Sequence, residues 1–168
     1  LALLLDTLGF ETGGKMRVRL SAPQKKYLVG SGKAEEIIHR AGEEECSVIV
    51  FDDDLSPSQQ RNLEQLSGLR VIDRREVILD IFSKRAQTKE ARLQVELARI
   101  EYSLPRLKRA WTHLSRQRGG TAASRGEGEK QLEMDRRRLA QRLTRVKEDL
   151  AEVQTSRETK RKQRKSIP

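Results

Sequence analysis

The residues best suited to chemistry are cations set among glycines. Ser115 to Lys130 reads SRQRGGTAASRGEGEK, which places Arg116, Arg118, Arg125 and Lys130 beside Gly119, Gly120, Gly126 and Gly128. Glycine lets a backbone approach a phosphate closely, and the guanidinium fork donates paired hydrogen bonds to one, so the mixture suits a nucleic-acid backbone. A plain connection between helices needs only about 2 to 8 residues, so this longer stretch is either a floppy basic loop or a functional one. Arg136, Arg137 and Arg138 follow, with Arg142 and Arg145 beyond. Beside Glu133 and Asp135 some of these pair along a helix, and the rest can track phosphates. The tail Lys160-Arg161-Lys162-Gln163-Arg164-Lys165 reads as a frayed helix end or linker rather than a specific reader.

Other constellations carry weaker signals. Gly30-Ser31-Gly32-Lys33 follows an apolar run and opens a helix, so its amides and the Lys33 ammonium form a candidate phosphate or nucleotide contact, the alternative being a simple helix cap. Gly9 to Met16 contains most of a P-loop, but Met16 stands where Ser or Thr must ligate magnesium, and strand-like residues follow it. Asp52, Asp53 and Asp54 after a strand suit magnesium or a solvated turn, and the turn is favoured. His39 and His113 lack paired-ligand spacing. Nothing resembles a nucleophile with its base, so no catalytic residue and no metal ligand is assigned.

The charge distribution separates the chain. The net charge is +10, yet residues 1–87 hold 13 Lys/Arg against 14 Asp/Glu, whereas residues 115–168 hold 16 against 8. Such a segregated field attracts polyanions over a Debye length of about 8 Å at physiological salt. A single cysteine, Cys46, rules out an internal disulfide framework and fits a reducing cytoplasm. No stretch reaches the ~18 apolar residues that a membrane span needs. The first residue, Leu1 rather than Met, suggests a fragment of something longer.

These groups need elements to hold them. Leu1, Leu4, Leu5 and Leu8 mark the end of a helix closed by Gly9. Phe10–Thr12 and Met16–Leu20 read as strand around Gly13-Gly14. A helix from Ala34 to Ala41, a strand at Ser47–Phe51, a helix capped by Ser56 with Pro57 and Gln59, a strand at Leu69–Ile72 and a helix through Val77–Phe82 follow. Alternating strands and helices imply an α/β fold with a small parallel βαβ sheet over residues 1–87. From Thr88 the seam Leu93, Leu97, Ile100, Leu104, Leu107, Trp111, Leu114 has the 4,3 spacing of a coiled coil, and Leu132, Leu139, Leu143, Val146, Leu150, Val153 show it again, with Arg136 interrupting. Residues 88–168 are therefore expected to form a long antiparallel two-helix hairpin, bent at Pro105, with a tip loop at about 115–130.

Several blocks resemble one family. Tyr27-Leu28-Val29-Gly30-Ser31-Gly32-Lys33, then Phe51 to Glu64, Val71-Ile72-Asp73-Arg74, Ile78 to Phe82, Leu93 to Leu97, Leu104-Pro105-Arg106-Leu107 and Gly119 to Arg137 are similar, in order, to the N-terminal region of the HflX-type ribosome-associated GTPases. The resemblance implies a GTP-binding protein whose N-terminal module binds the large ribosomal subunit and its rRNA, reaches the peptidyl-transferase region with the tip loop and assists ribosome splitting. It also implies a GTPase domain beyond Pro168, holding GTP and magnesium, and an association with ATP that bears on Gly30 to Lys33. Expected, then, are a cytoplasmic, monomeric fragment without catalysis of its own, Arg116 to Lys130 as the reaching element, and Arg136, Arg137 and Arg138 as backbone contacts. The alternatives are an ATP-binding domain and a coiled-coil protein-interaction arm. Ala122-Ala123, Glu127 and Lys130 depart from the family pattern, as does a loop one residue longer than usual.

Overall fold

The computed structural model describes the backbone of residues 1–20, 22–117 and 123–165, and side chains outside 108–132 and 165. The chain divides into two compact units, Leu1–Ile81 and Phe82–Pro168.

In the first unit, helix α1 (Ala2–Leu8) ends where Gly9 takes the left-handed conformation, φ 80°, and donates its N–H to the Asp6 carbonyl. Its Leu4, Leu5 and Leu8 pack with Ile72 and Val77, while Leu3 is exposed. Helix α2 (Ser31–Glu43), strand β1 (Val48–Phe51), helix α3 (Pro57–Ser67), strand β2 (Arg70–Asp73) and helix α4 (Arg74–Arg85) follow. β1 and β2 pair in parallel, Val48 opposite Arg70 and Phe51 opposite Asp73, with α3 as the intervening helix. Leu63 of α3, Ala34 and Ala41 of α2, and Val71 of β2 enclose Tyr27, Leu28 and Val29 in the core.

Local signals explain these boundaries. The Ser56 hydroxyl accepts from the Gln59 N–H at 3.2 Å while the Gln59 side chain accepts from the Ser56 N–H at 2.8 Å, a complete capping box with Pro57 behind it. Gly68, at φ 69°, stops the helix. The fully buried Asp73 carboxylate accepts from the N–H of Glu76 at 2.9 Å and of Leu55 at 3.2 Å, so one side chain starts α4 and ties down the turn after β1.

The α/β expectation holds at a smaller scale, since among the described residues the sheet has two strands. Phe10–Thr12 and Met16–Leu20 are not strands. Met16, Val18 and Leu20 alternate half-buried with exposed Arg17 and Arg19, as a strand face would, and Val18 and Leu20 touch the core. Their backbone makes no ladder, because alternation sets which side chains face inward but supplies no partner for the N–H and C=O groups.

The second unit is built by helices α5 (Lys89–Gln117) and α6 (Ala123–Lys165). Leu93, Ile100 and Val146 are buried between them, with Leu97, Leu104, Leu139, Leu143, Leu150 and Val153 packed against these three, so the seams meet over Leu93–Leu104 and Leu139–Val153, while the side chains of Trp111, Leu114 and Leu132 lie outside the described residues. Glu90 near the start of α5 reaches Arg157 late in α6 at 2.9 Å, while Glu96 and Glu101, farther along α5, reach the earlier Arg142 and Lys147 at 2.5 and 3.7 Å. α5 continues through Pro105, whose missing N–H removes one rung of the ladder. The Arg106 guanidinium covers the Tyr102 ring at 3.3 Å from its centroid and donates to the Tyr102 carbonyl.

Candidate nucleic-acid interface

The Gly/Arg segment is less of a loop than its glycines suggest. Arg116 lies in the last turn of α5, and Arg125, Gly126, Gly128 and Lys130 lie in the opening turns of α6. Of the expected tip loop over 115–130, residues 115–117 and 123–130 are helical, and residues 118–122 lie outside the described residues. Arg118, Gly119 and Gly120 fall outside the described residues. Gly costs about 1 kcal/mol relative to Ala in a helix interior; the neighbouring Glu127, Glu129, Lys130 and Gln131 are good helix formers that extend α6 through this cost.

Arg136, Arg137 and Arg138 are on the described part of α6 and are locally compensated. Glu133 holds Arg136 at 3.0 Å and Arg137 at 3.1 Å, one and the same carboxylate serving neighbours at i+3 and i+4. Hydrogen bonds from Arg137, then Arg136, pull the Glu133 carboxyl below its ordinary pKa. Arg138 lies 3.7 Å from Asp135. Arg142 grips Glu96 with two hydrogen bonds, 2.5 and 2.9 Å, and the Glu96 hydrogen bond raises the already high guanidinium pKa. That bidentate pair crosses between the helices and serves as a clamp.

The remaining constellations fall in the first unit, apart from His113, whose side chain lies outside the described residues. Gly30 is the N-cap of α2 with no side-chain cap, so Ser31, Gly32 and Lys33 form the first turn with their N–H groups directed out of the helix end. The Lys33 ammonium is engaged by Glu36 at 2.5 Å. Just upstream, buried Leu28 sits in the left-handed region at φ 69°, held by paired backbone bonds with Gln24 and by Gln59 and Asn62 of α3, which donate to the Gln24 and Lys26 carbonyls. A cleft of about 520 Å³ lies along β1 between Lys15–Val18 and the Val29, Ile37 and Ala41 side chains, but Gly30 to Lys33 do not line it.

No helix follows Gly14-Lys15, so the P-loop-like run has no helix N-terminus to offer phosphate. Asp52 and Asp54 pair with Arg74 at 3.0 Å and Arg75 at 3.8 Å, and among the described residues no group of three or more acidic, His or Cys side chains is placed to hold a metal. His39 faces Glu43 at 3.5 Å on the exposed side of α2. Among the described residues no helix is long and apolar enough to cross a membrane.

Rather than a frayed tail, residues 157–164 are helical and carry Arg157, Lys160, Arg161 and Arg164 on one side. Their i, i+3, i+4, i+7 spacing was the available signal.

Comparison with known proteins adds the following. Residues 1–83 match the family described as GTP-binding GTPase N-terminal, and residues 85–164 match GTP-binding GTPase Middle Region. The chain is 46% identical over 164 residues to a protein named GTPase HflX from Spirochaeta thermophila, covering 98% of this chain and 40% of that protein. It is 47% identical over 161 residues to the Escherichia coli K12 protein of the same name, covering 96% and 38%. The fold is similar to a solved structure described as SsGBP with GDP, at a TM-score of 0.68 and 23% identity, covering 94% of this chain and 41% of that one. A GTP-binding protein from Sulfolobus solfataricus in complex with GDP is also similar, at a TM-score of 0.55 and 24% identity over 87% and 41% of the two chains. The chain therefore spans about two-fifths of the length of these curated relatives.

Proposed function

This chain belongs to the HflX family of GTPases and matches its N-terminal and middle regions, and from that premise we propose that it is the ribosome- and rRNA-binding module of a cytoplasmic GTP-binding protein. In this reading α5 and α6 form an antiparallel coiled-coil hairpin, and the segment around 115–130 is its reaching end. Each seam covers roughly 33 Å at 1.5 Å per residue, long enough to enter a deep RNA cavity. Arg116, Arg118, Arg125 and Lys130 bring charge to that end, and Gly119, Gly120, Gly126 and Gly128 allow close backbone approach to phosphates. The target is the peptidyl-transferase region of the large subunit. Occupying it assists ribosome splitting, with GTP and magnesium bound by a domain outside this chain.

The observation that carries the reading is the packed pair of leucine seams. It puts a strongly basic half of the chain on a stiff scaffold instead of a flexible tail. Arg136, Arg137 and Arg138 contribute secondarily, since Glu133 and Asp135 must release them before phosphate can take their place. The test is co-sedimentation with purified large ribosomal subunits. The triple change Arg116→Glu, Arg118→Glu, Arg125→Glu is expected to lower affinity at least tenfold and to flatten the salt dependence, and unaltered binding would contradict the reading.

An ATP site at Gly30 to Lys33 is the second reading, favoured by the uncapped first turn of α2. Calorimetric titration with ATP that gives no heat, or the same heat for Lys33→Ala, removes it.

A further inference from the structure

Building on the RNA-binding reading, we propose that the end of α6 is a second, separate RNA site, in which Arg157, Lys160, Arg161 and Arg164 grip the phosphate backbone of a folded RNA. Four cations at i, i+3, i+4 and i+7 share one face of a helix, and α6 remains helical through Lys165. The stripe is about 10 Å long at 1.5 Å per residue. A duplex presents one charge per about 1.7 Å of axis, so several phosphates come within reach of it.

The ion pairs distinguish this stripe from the rest of the helix. Arg157 is held by Glu90 of α5, which anchors the inner end of the stripe. Among the described residues, Lys160, Arg161 and Arg164 have no carboxylate within ion-pair distance. With Glu90, Gln154 and Glu158, the three arginines line a surface groove at the meeting of the two helices, so three cations there face two carboxylates, and among the described residues no ion pair joins Glu158 to any of them. The helix dipole favours cations in a last turn, but Arg157 and Lys160-Arg161 stand farther back, and the dipole does not require one face.

The surroundings favour RNA over a membrane. An interfacial helix sets large apolar residues opposite its basic face, whereas after Val153 α6 offers Thr155, Ser156, Thr159 and Gln163 and no large apolar side chain among the described residues. From Arg125 to Arg161 the helix path is roughly 50 Å at 1.5 Å per residue. The two ends of α6 would therefore engage distant parts of one large RNA, and simultaneous engagement multiplies affinity through effective concentration.

The experiment uses the whole 168-residue chain and a fluorescein-labelled RNA duplex of about 20 base pairs, followed by anisotropy over a salt series. The change Lys160→Gln, Arg161→Gln, Arg164→Gln is expected to weaken binding at least tenfold at low salt and to flatten the log–log salt slope by about 2 to 3, at ~0.7 to 0.9 for each of the three charges removed. The same number of changes at Arg136, Arg137 and Arg138 is expected to flatten it by less than 1. Glutamine is a good helix former, so circular dichroism should be unchanged, and Arg161→Lys with Arg164→Lys should keep most of the binding.

Equal effects of the two triple variants would overturn the proposal, as would an unchanged slope in the first. Tighter binding to phosphatidylserine vesicles or to polyglutamate than to the duplex would overturn the choice of RNA. Large-subunit binding separates the two ideas. If the first triple variant binds neither duplex nor subunit less well than the unaltered chain, this inference fails while the ribosomal reading stands. If the unaltered chain ignores subunits but loses duplex binding through the stripe, the reverse holds.

Discussion

The middle and the end of α6 are built from the same residue types on the same helix, yet they carry different effective charge. Arg136, Arg137 and Arg138 are shadowed by Glu133 and Asp135 one turn back, so three guanidiniums present little net field. Past Glu152 the acids thin to Glu158 alone; Arg157 is paired with Glu90 of α5, and Lys160, Arg161 and Arg164 are exposed. A count of arginines therefore says where positive charge was encoded. The i+3 and i+4 neighbours decide whether it is available.

The largest expected effect breaks the comparison altogether. Val146 is fully buried in the seam, and Val146→Asp would place an unpaired carboxylate there, costing more than ~3 kcal/mol. Loss of helix signal and of RNA binding at both stretches together is expected in thermal melts and anisotropy. Asp73→Ala is next and should leave the comparison intact. It removes the start of α4 and the tie to Leu55, about 2 kcal/mol in the first unit, so a chemical melt should shift while the RNA salt slope does not.

A smaller change sharpens the contrast by making the middle of α6 resemble its end. Glu133→Gln releases Arg136 and Arg137, and the salt slope for duplex RNA should steepen by about 1. The smallest effect is in titration. Because Arg137 and Arg136 depress the Glu133 carboxyl, whatever this pairing contributes is present above the unfolded-state carboxylate pKa and is lost as pH falls through the lower folded value. Carboxyl chemical shifts should give a Glu133 midpoint below the ordinary glutamate range, moving upward in Arg137→Gln.

What was legible in the sequence was local. Ser56, Pro57 and Gln59 announce α3 because a capping box is closed within four consecutive residues, and Gly9 and Gly68 mark their helix ends for the same reason. The seams were legible because heptad spacing needs only one helix to be read. Met16–Leu20 alternates as a strand face would without being a strand, because a ladder needs a partner strand that alternation does not name. At Gly126 and Gly128 the glycines signal a break, yet α6 runs through them, because their charged neighbours are good helix formers. At the end of α6 the face pattern is visible in the sequence, but the pairing of Arg157 is not, because Glu90 of α5 lies far away along the chain.

The most direct test of the central claim, that the basic helical unit meets the ribosome through its charge, is co-sedimentation of the chain with large ribosomal subunits from about 50 to 200 mM salt. Binding whose logarithm falls linearly with the logarithm of salt, with a slope of about −4 or steeper, is the predicted result. Absence of binding at the lowest salt, or binding indifferent to salt, would contradict it.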